Sequence, residues 1–233
     1  RLFTMKWKLN ADESRGNAMT IRHEKYWKPV KENMMKPDYN GGLTREQFLF
    51  FEIRIVATLL LQGLNREEVL KKIKDENLFQ FPTERMISSI ANTCFKRIDA
   101  LESDNLVYHL ANSSAEVAKQ INLYAMMKYN RIVWDFMTTV IAEKYRTQEF
   151  EFGKKDLHLL FFRLQEQNDL VASWSDATIN KIKQVLTKTL VECGYIDSTR
   201  STQLNLISIE PELEDAIREA GNLAALPAFN CFR

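Results

Sequence analysis

TREQFLFFEIRIVATLLLQGL, residues 44–64, decides between a membrane protein and a folded helical one. Phe48 to Leu64 is the most apolar long window of the chain, but Glu52 and Arg54 lie inside it and would cost several kcal/mol in a bilayer. The window therefore reads as a core helix. Thr44 with Gln47 three residues on is an N-cap pattern, and Gly63 supplies a left-handed stop. Apolar residues nearly encircle this helix, so it belongs at the centre of a core.

Working outward, Asn65 with Glu68 makes a second capping pair and opens an amphipathic helix carrying Val69, Leu70 and Ile73. Pro82 breaks the pattern, and Thr83 caps a helix to about Leu101. Its expected buried face is Met86, Ile87, Ile90, Cys94 and Ile98, with Arg85, Lys96 and Arg97 left outside. A short helix at 104–111 precedes a long one, capped by Ser113 or Ser114 and running from Glu116 to about Tyr145 with a break near Asn130. Val117, Ile121, Tyr124, Ile132, Val133, Phe136, Val140 and Ile141 mark it as the central helix. Met126, Met127 and Met137 at helical spacing read as core filling rather than as a binding groove. Helices at 156–167, then from Ser175 to Gly194, then from Pro211 to Gly221 complete the set. Between the last two, GYIDSTRSTQLNLISIEP (194–211) has turn formers at its centre and an alternating apolar end, which predicts a two-stranded ribbon.

The expected fold is mainly α: a compact helical bundle with a C-terminal winged-helix-like unit containing a short β-hairpin. Residues 1–40 read as a basic N-terminal extension, 41–150 as a helical core lobe and 151–233 as a C-terminal winged-helix-like lobe. Only 7 Gly and 5 Pro among 233 residues leave too few turn formers for a many-stranded barrel. The first 40 residues hold nine Lys/Arg against five Asp/Glu, and the remainder holds 23 against 26, a net of −3. A nucleic-acid role must then rest on local basic patches rather than on the overall field. Asn17-Ala18 before Met19 resembles a vector remnant, so residues 1–18 are expected to be processed, trimmed or partly foreign. No secretory signal is expected. Three widely spaced cysteines, Cys94, Cys193 and Cys231, suggest neither a disulfide framework nor a zinc cluster, and point to a reducing cytoplasm.

Recognisable chemistry is absent from the text. No phosphate loop, dinucleotide fingerprint, two-histidine zinc helix or nucleophile elbow occurs, and His23, His109 and His158 are far apart. Glu149 and Glu151 would hold a metal only if both faced one side of a strand; acidic pairs usually solvate an edge. The expectation is a non-enzyme without catalytic residues, cofactor or metal.

The C-terminal unit is more informative. With Ser175 as N-cap, Ile179, Ile182, Leu186, Leu190 and Cys193 form the buried stripe, while Asn180, Lys181, Gln184, Thr187 and Lys188 project opposite. Short helix, polar-faced helix, glycine stop and ribbon with Arg200 near its tip follow the order of a winged helix-turn-helix. From periodicity alone a solvated surface helix explains the same pattern. Only Asn180 and Gln184 suit base readout, so phosphate contact is the form of binding the residues favour.

The chain resembles the BrxA family of bacterial BREX phage-defence systems, a family long catalogued as of unknown function or as a putative inner-membrane protein. The resemblance runs from about Tyr39 to Ile217 and rests on the order of YNGGL (39–43), ENLFQ (76–80), RIVWDF (131–136) with EKY (143–145), and WSDATINKIKQVLTKTLVECGYI (174–196). It implies an all-helical body similar to the antitermination factor NusB, double-stranded DNA as a partner without known catalysis, and service in phage defence beside other BREX proteins. The basic residues expected to share the DNA interface are Arg85, Lys96, Arg97, Lys128 and Arg131. A protein–protein adaptor, an RNA binder by likeness to NusB, and a cryptic nuclease are the competing readings.

Overall fold

A computed structural model describes residues 38–232; the basic extension expected at 1–40 lies almost wholly outside the described residues. Eleven α-helices are found among them: α1 (Phe50–Leu61), α2 (Arg66–Asp75), α3 (Glu84–Leu101), α4 (Asp104–Asn112), α5 (Ala115–Tyr129), α6 (Arg131–Phe136), α7 (Ala142–Thr147), α8 (Lys154–Gln167), α9 (Asp169–Ala172), α10 (Asp176–Glu192) and α11 (Pro211–Glu219). α1, α3, α4 and α5 pack on one another, α11 lies against α4 and α5, and α10 rests on the 3-10 turn Gly41–Thr44. One contiguous apolar cluster runs through these elements, from Leu43 through Ile53, Tyr124, Phe136 and Leu186 to Phe229. No helix among the described residues is long and apolar enough to cross a membrane.

Local chemistry explains most helix starts. Asn65 accepts from the backbone of Glu67 and Glu68 while Glu68 reaches back to the Asn65 amide, a complete capping box. Thr83, Ser114 and Ser175 each cap a helix through the side-chain oxygen. Asn130 ends α5 and begins α6, its carboxamide accepting from Ile132 and Val133. This is the break expected in the long central helix. Beyond α6 the chain stays helical through a π turn, Met137–Ile141, and continues as α7.

The decisive window folds differently from the expectation in one respect. α1 begins at Phe50, not after Thr44; Leu49 takes a left-handed backbone (φ 54°) and no side chain caps the helix. Arg97 is the cause. It is 1% exposed, and its guanidinium donates to the carbonyls of Phe48 (3.0 Å), Glu46 (2.9 Å) and Gln47 (2.8 Å). Those carbonyls are thereby withdrawn from helix bonding. Arg97 is thus not on the outer face of α3, and Met86, assigned to the buried face, is instead exposed. Arg54, half-buried on α1, donates to the carbonyls of Ala111 and Ser113 and so neutralises the carbonyl end of α4.

The expected ribbon is not built as a hairpin. Residues 195–210 carry a single bridge, Gln203 with Glu151, and no paired strands. Leu204 is buried, but Leu206, which the alternation places on the same face, is 69% exposed. Backbone pairing is limited to Phe152 N with Thr202 O and Leu204 N with Phe150 O, besides Asn205 N with Tyr195 O, and side chains from elsewhere supply further hydrogen bonds that a partner strand would have given. Gln120 donates to Ser208 O and accepts from Glu210 N, Tyr145 Oη donates to Asn205 O, and Asn230 donates to Ile207 O. The alternating pattern identified an extended segment; its partners are remote in sequence.

Candidate functional site

α10 presents its polar face to a cleft of about 570 Å3. Ser175 starts the helix, and Ile179, Ile182, Leu186 and Leu190 anchor it, so Asn180, Gln184, Thr187 and Lys188, spaced four, three and one apart, share the opposite side. One wall is the start of α8, with Gly153, Lys154, Leu157 and His158. The other is the loop carrying Thr199 and Ser201, and Phe152 also lines the cleft. That loop is a compact turn: Ser201 N donates to Ser198 O (3.0 Å), and Ser198 N donates to Ser201 Oγ (3.1 Å). Arg200 stands exposed between two lining residues.

The electrostatics of this cleft are one-sided. None of its twelve lining residues is an Asp or Glu, whereas Lys154, Lys183 and Lys188 all line it. None of the three forms an ion pair with a carboxylate among the described residues. Lys183 Nζ lies 3.0 Å from His158 Nδ1 and 5.4 Å from the centre of the Phe161 ring. Burial pulls the Lys183 ammonium below its usual range, against the pull of Asp176, a neighbour along the helix that does not line the cleft. Held against an imidazole and a ring, this ammonium has no carboxylate in direct contact among the described residues. The nearest acid on α8, Asp156, is engaged elsewhere: it accepts from Gly153 N (2.8 Å) and pairs with the buried Lys144 at 3.0 Å.

A second cleft, about 580 Å3, lies on the other side of α8 and has the opposite character. Asp135, Glu143, Glu149 and Asp156 line it together with Arg131, Lys144 and Arg163, so its cations are outnumbered by carboxylates. No group of three or more His, Cys, Asp or Glu able to hold a metal occurs among the described residues.

Four of the expected binding residues, Asn180, Gln184, Thr187 and Lys188, therefore meet in one cleft, with Arg200 at its rim. Lys181 is exposed on α10 but outside it. Arg85 and Lys96 are exposed on α3, away from the lining. Lys128 pairs with Glu102 over the Tyr124 ring, and Arg131 stacks 4.2 Å over the Tyr39 ring in the second cleft. Arg97 is buried and committed to three carbonyls, so it is closed to any ligand. Lys154, Lys183, His158, Thr199 and Ser201 were not anticipated. Lys183 follows Asn180 by three positions, a helical neighbour spacing that would have revealed it.

The fold defines a class first, that of compact, mainly helical proteins. A model of the BrxA family matches residues 37–221. The chain belongs to the BrxA family of BREX systems. A relative from Bacillus cereus (strain H3081.97) named BREX protein BrxA is 33% identical over 174 residues, 75% of this chain and 84% of that one. A protein of the same name from Paramagnetospirillum magneticum is 24% identical over 186 residues, 80% of this chain and 93% of its own. An uncharacterized protein of known structure from Magnetospirillum magneticum superposes with a TM-score of 0.71 at 23% identity, covering 83% of this chain and 98% of that chain. The two share a fold.

Proposed function

We propose that this chain is a non-catalytic accessory protein of a BREX phage-defence system that works in the cytoplasm and binds double-stranded DNA mainly through its phosphates. The single observation that carries the reading is the cleft on α10, which gathers three lysines without one lining carboxylate. Net charge argues weakly here, because a local cationic surface suffices for phosphate contact. In this reading residues 151–233 form the DNA-facing lobe and residues 41–150 the lobe that supports it.

The test is a gel shift on duplex DNA at low salt. Lys183→Glu combined with Lys188→Glu is expected to abolish the shift with helicity unchanged by circular dichroism, while Lys181→Glu, outside the cleft, weakens it less. A shift unaltered in the double variant removes the cleft from the interface. A second reading, docking onto another BREX protein, is favoured by a different observation: Leu159, Phe162 and Leu170 are large, apolar and exposed on α8 and α9. Co-purification with products of the same operon, without DNA binding at low salt, would select it.

A further inference from the structure

We infer that the cleft receives one phosphodiester strand, seated by its phosphates, and that α10 stays outside the DNA major groove. This rests on the DNA-binding reading above and departs from the docking expected of a winged helix. A recognition helix must stand proud of its surroundings, because the major groove it enters is only about 12 Å wide and about 8.5 Å deep. α10 does not stand proud on its polar side. Asn180 and Gln184, its two base-reading side chains, line a concavity walled by α8 and by the 199–201 loop. The loop expected to act as a wing is tied to the body instead: Phe152 N donates to Thr202 O, Leu204 N to Phe150 O and Tyr145 Oη to Asn205 O, while Asn205 closes the loop's base on Gly194 O and Tyr195 O. A duplex approaching α10 would meet these walls before its base edges reached Asn180.

The lining suits a strand of phosphates. Lys154 and His158 come from one wall, Lys183 and Lys188 from the floor, and the hydroxyls of Thr199 and Ser201 from the other wall. These are donors of the kind that position a nucleic-acid backbone without reading sequence. Lys183 adds a driving force of its own: its partly desolvated ammonium lies against the His158 ring and the Phe161 ring with no carboxylate in ion-pair contact among the described residues, and a phosphate oxygen would supply a direct counter-charge. The strand could belong to a duplex, whose backbone ridge would enter the cleft, or could be unpaired. Both offer the same phosphodiester chemistry.

Fluorescence anisotropy on the full chain distinguishes the cases, with three labelled probes of equal length: a blunt duplex, the same duplex carrying bulky substituents at pyrimidine C5 to fill the major groove, and an unpaired strand. The substituted duplex is expected to bind within about twofold of the plain one, and Lys154→Gln/Lys183→Gln/Lys188→Gln to weaken every probe that binds by at least about tenfold. Tighter binding of the plain duplex identifies a duplex ridge as the occupant, and tighter binding of the single strand an unpaired one. Loss of about tenfold or more on the substituted duplex overturns the inference and leaves DNA binding through α10 intact. Absence of binding to any probe, or binding unchanged in the triple variant, overturns both the inference and the DNA-binding reading.

Discussion

Arg97→Met is expected to lower the unfolding free energy by about 3–5 kcal/mol, a large share of the roughly 5–15 kcal/mol available to a folded protein. The guanidinium makes three charge-assisted bonds to the consecutive carbonyls of Glu46, Gln47 and Phe48. Each such bond contributes about 1.5–3 kcal/mol net, and a buried carbonyl stripped of its donor bears a desolvation cost besides. Phe48 O keeps one donor, since Asn122 Nδ2 lies 2.7 Å away, whereas the Glu46 and Gln47 carbonyls lose the guanidinium. Methionine preserves the bulk of the side chain and removes only the donors. Urea denaturation would read the loss as a fall in midpoint, with Lys96→Met, its exposed neighbour, expected within about 0.5 kcal/mol of the parent. Equal effects from both substitutions would show that Arg97 does not organise the entry to α1.

The second large effect concerns the ionic strength at which DNA is held. If Lys154, Lys183 and Lys188 each neutralise one phosphate of a duplex, they contribute about −2.7 to the slope of log K against log salt, at about −0.9 per contact. Lys154→Gln/Lys183→Gln/Lys188→Gln should flatten the measured slope by that amount and reduce affinity at low salt by at least about tenfold. Glutamine retains hydrogen-bonding capacity, so a weak, nearly salt-independent residue of binding is expected to survive. A slope unchanged within error would mean that the lysines of the cleft face water in the complex. Slope is the more informative readout, because misfolding lowers the active fraction without altering it.

Helix starts were legible in the sequence because capping is local. Asn65, Thr83, Ser114, Asn130 and Ser175 each act on amides two or three residues away, a distance within which the text is complete. The start of α1 was not legible, since its backbone is fixed by Arg97 from about fifty residues downstream. Even so, the position of Arg97 carried a signal: it lies three residues after Cys94 and four before Leu101, both buried, on the apolar side of α3. The ordinary preference of charge for water hid it. The extended segment 202–209 was found by its alternation, but alternation cannot distinguish pairing with a strand from pairing with Gln120, Tyr145 and Asn230. Half of the cleft, on one helix face, could be read by counting along α10. The walls could not, because only tertiary packing brings Lys154 and Thr199 to that face.

The π turn between α6 and α7 has a consequence at a distance. A turn that closes i to i+5 holds one residue more than an α-helical turn, and each residue advances the helix by about 100°. The turn therefore sets the bearing on which α7 leaves. Two side chains of α7 act as struts on that bearing: Lys144 holds Asp156 at the head of α8, and Tyr145 holds Asn205, beyond the 199–201 loop. One strut reaches each wall of the cationic cleft. A change of one residue in length between positions 137 and 141 would swing both struts away from their anchors. The gap into which a phosphate strand is proposed to fit is thus gauged by the phase of a helix that need never touch it.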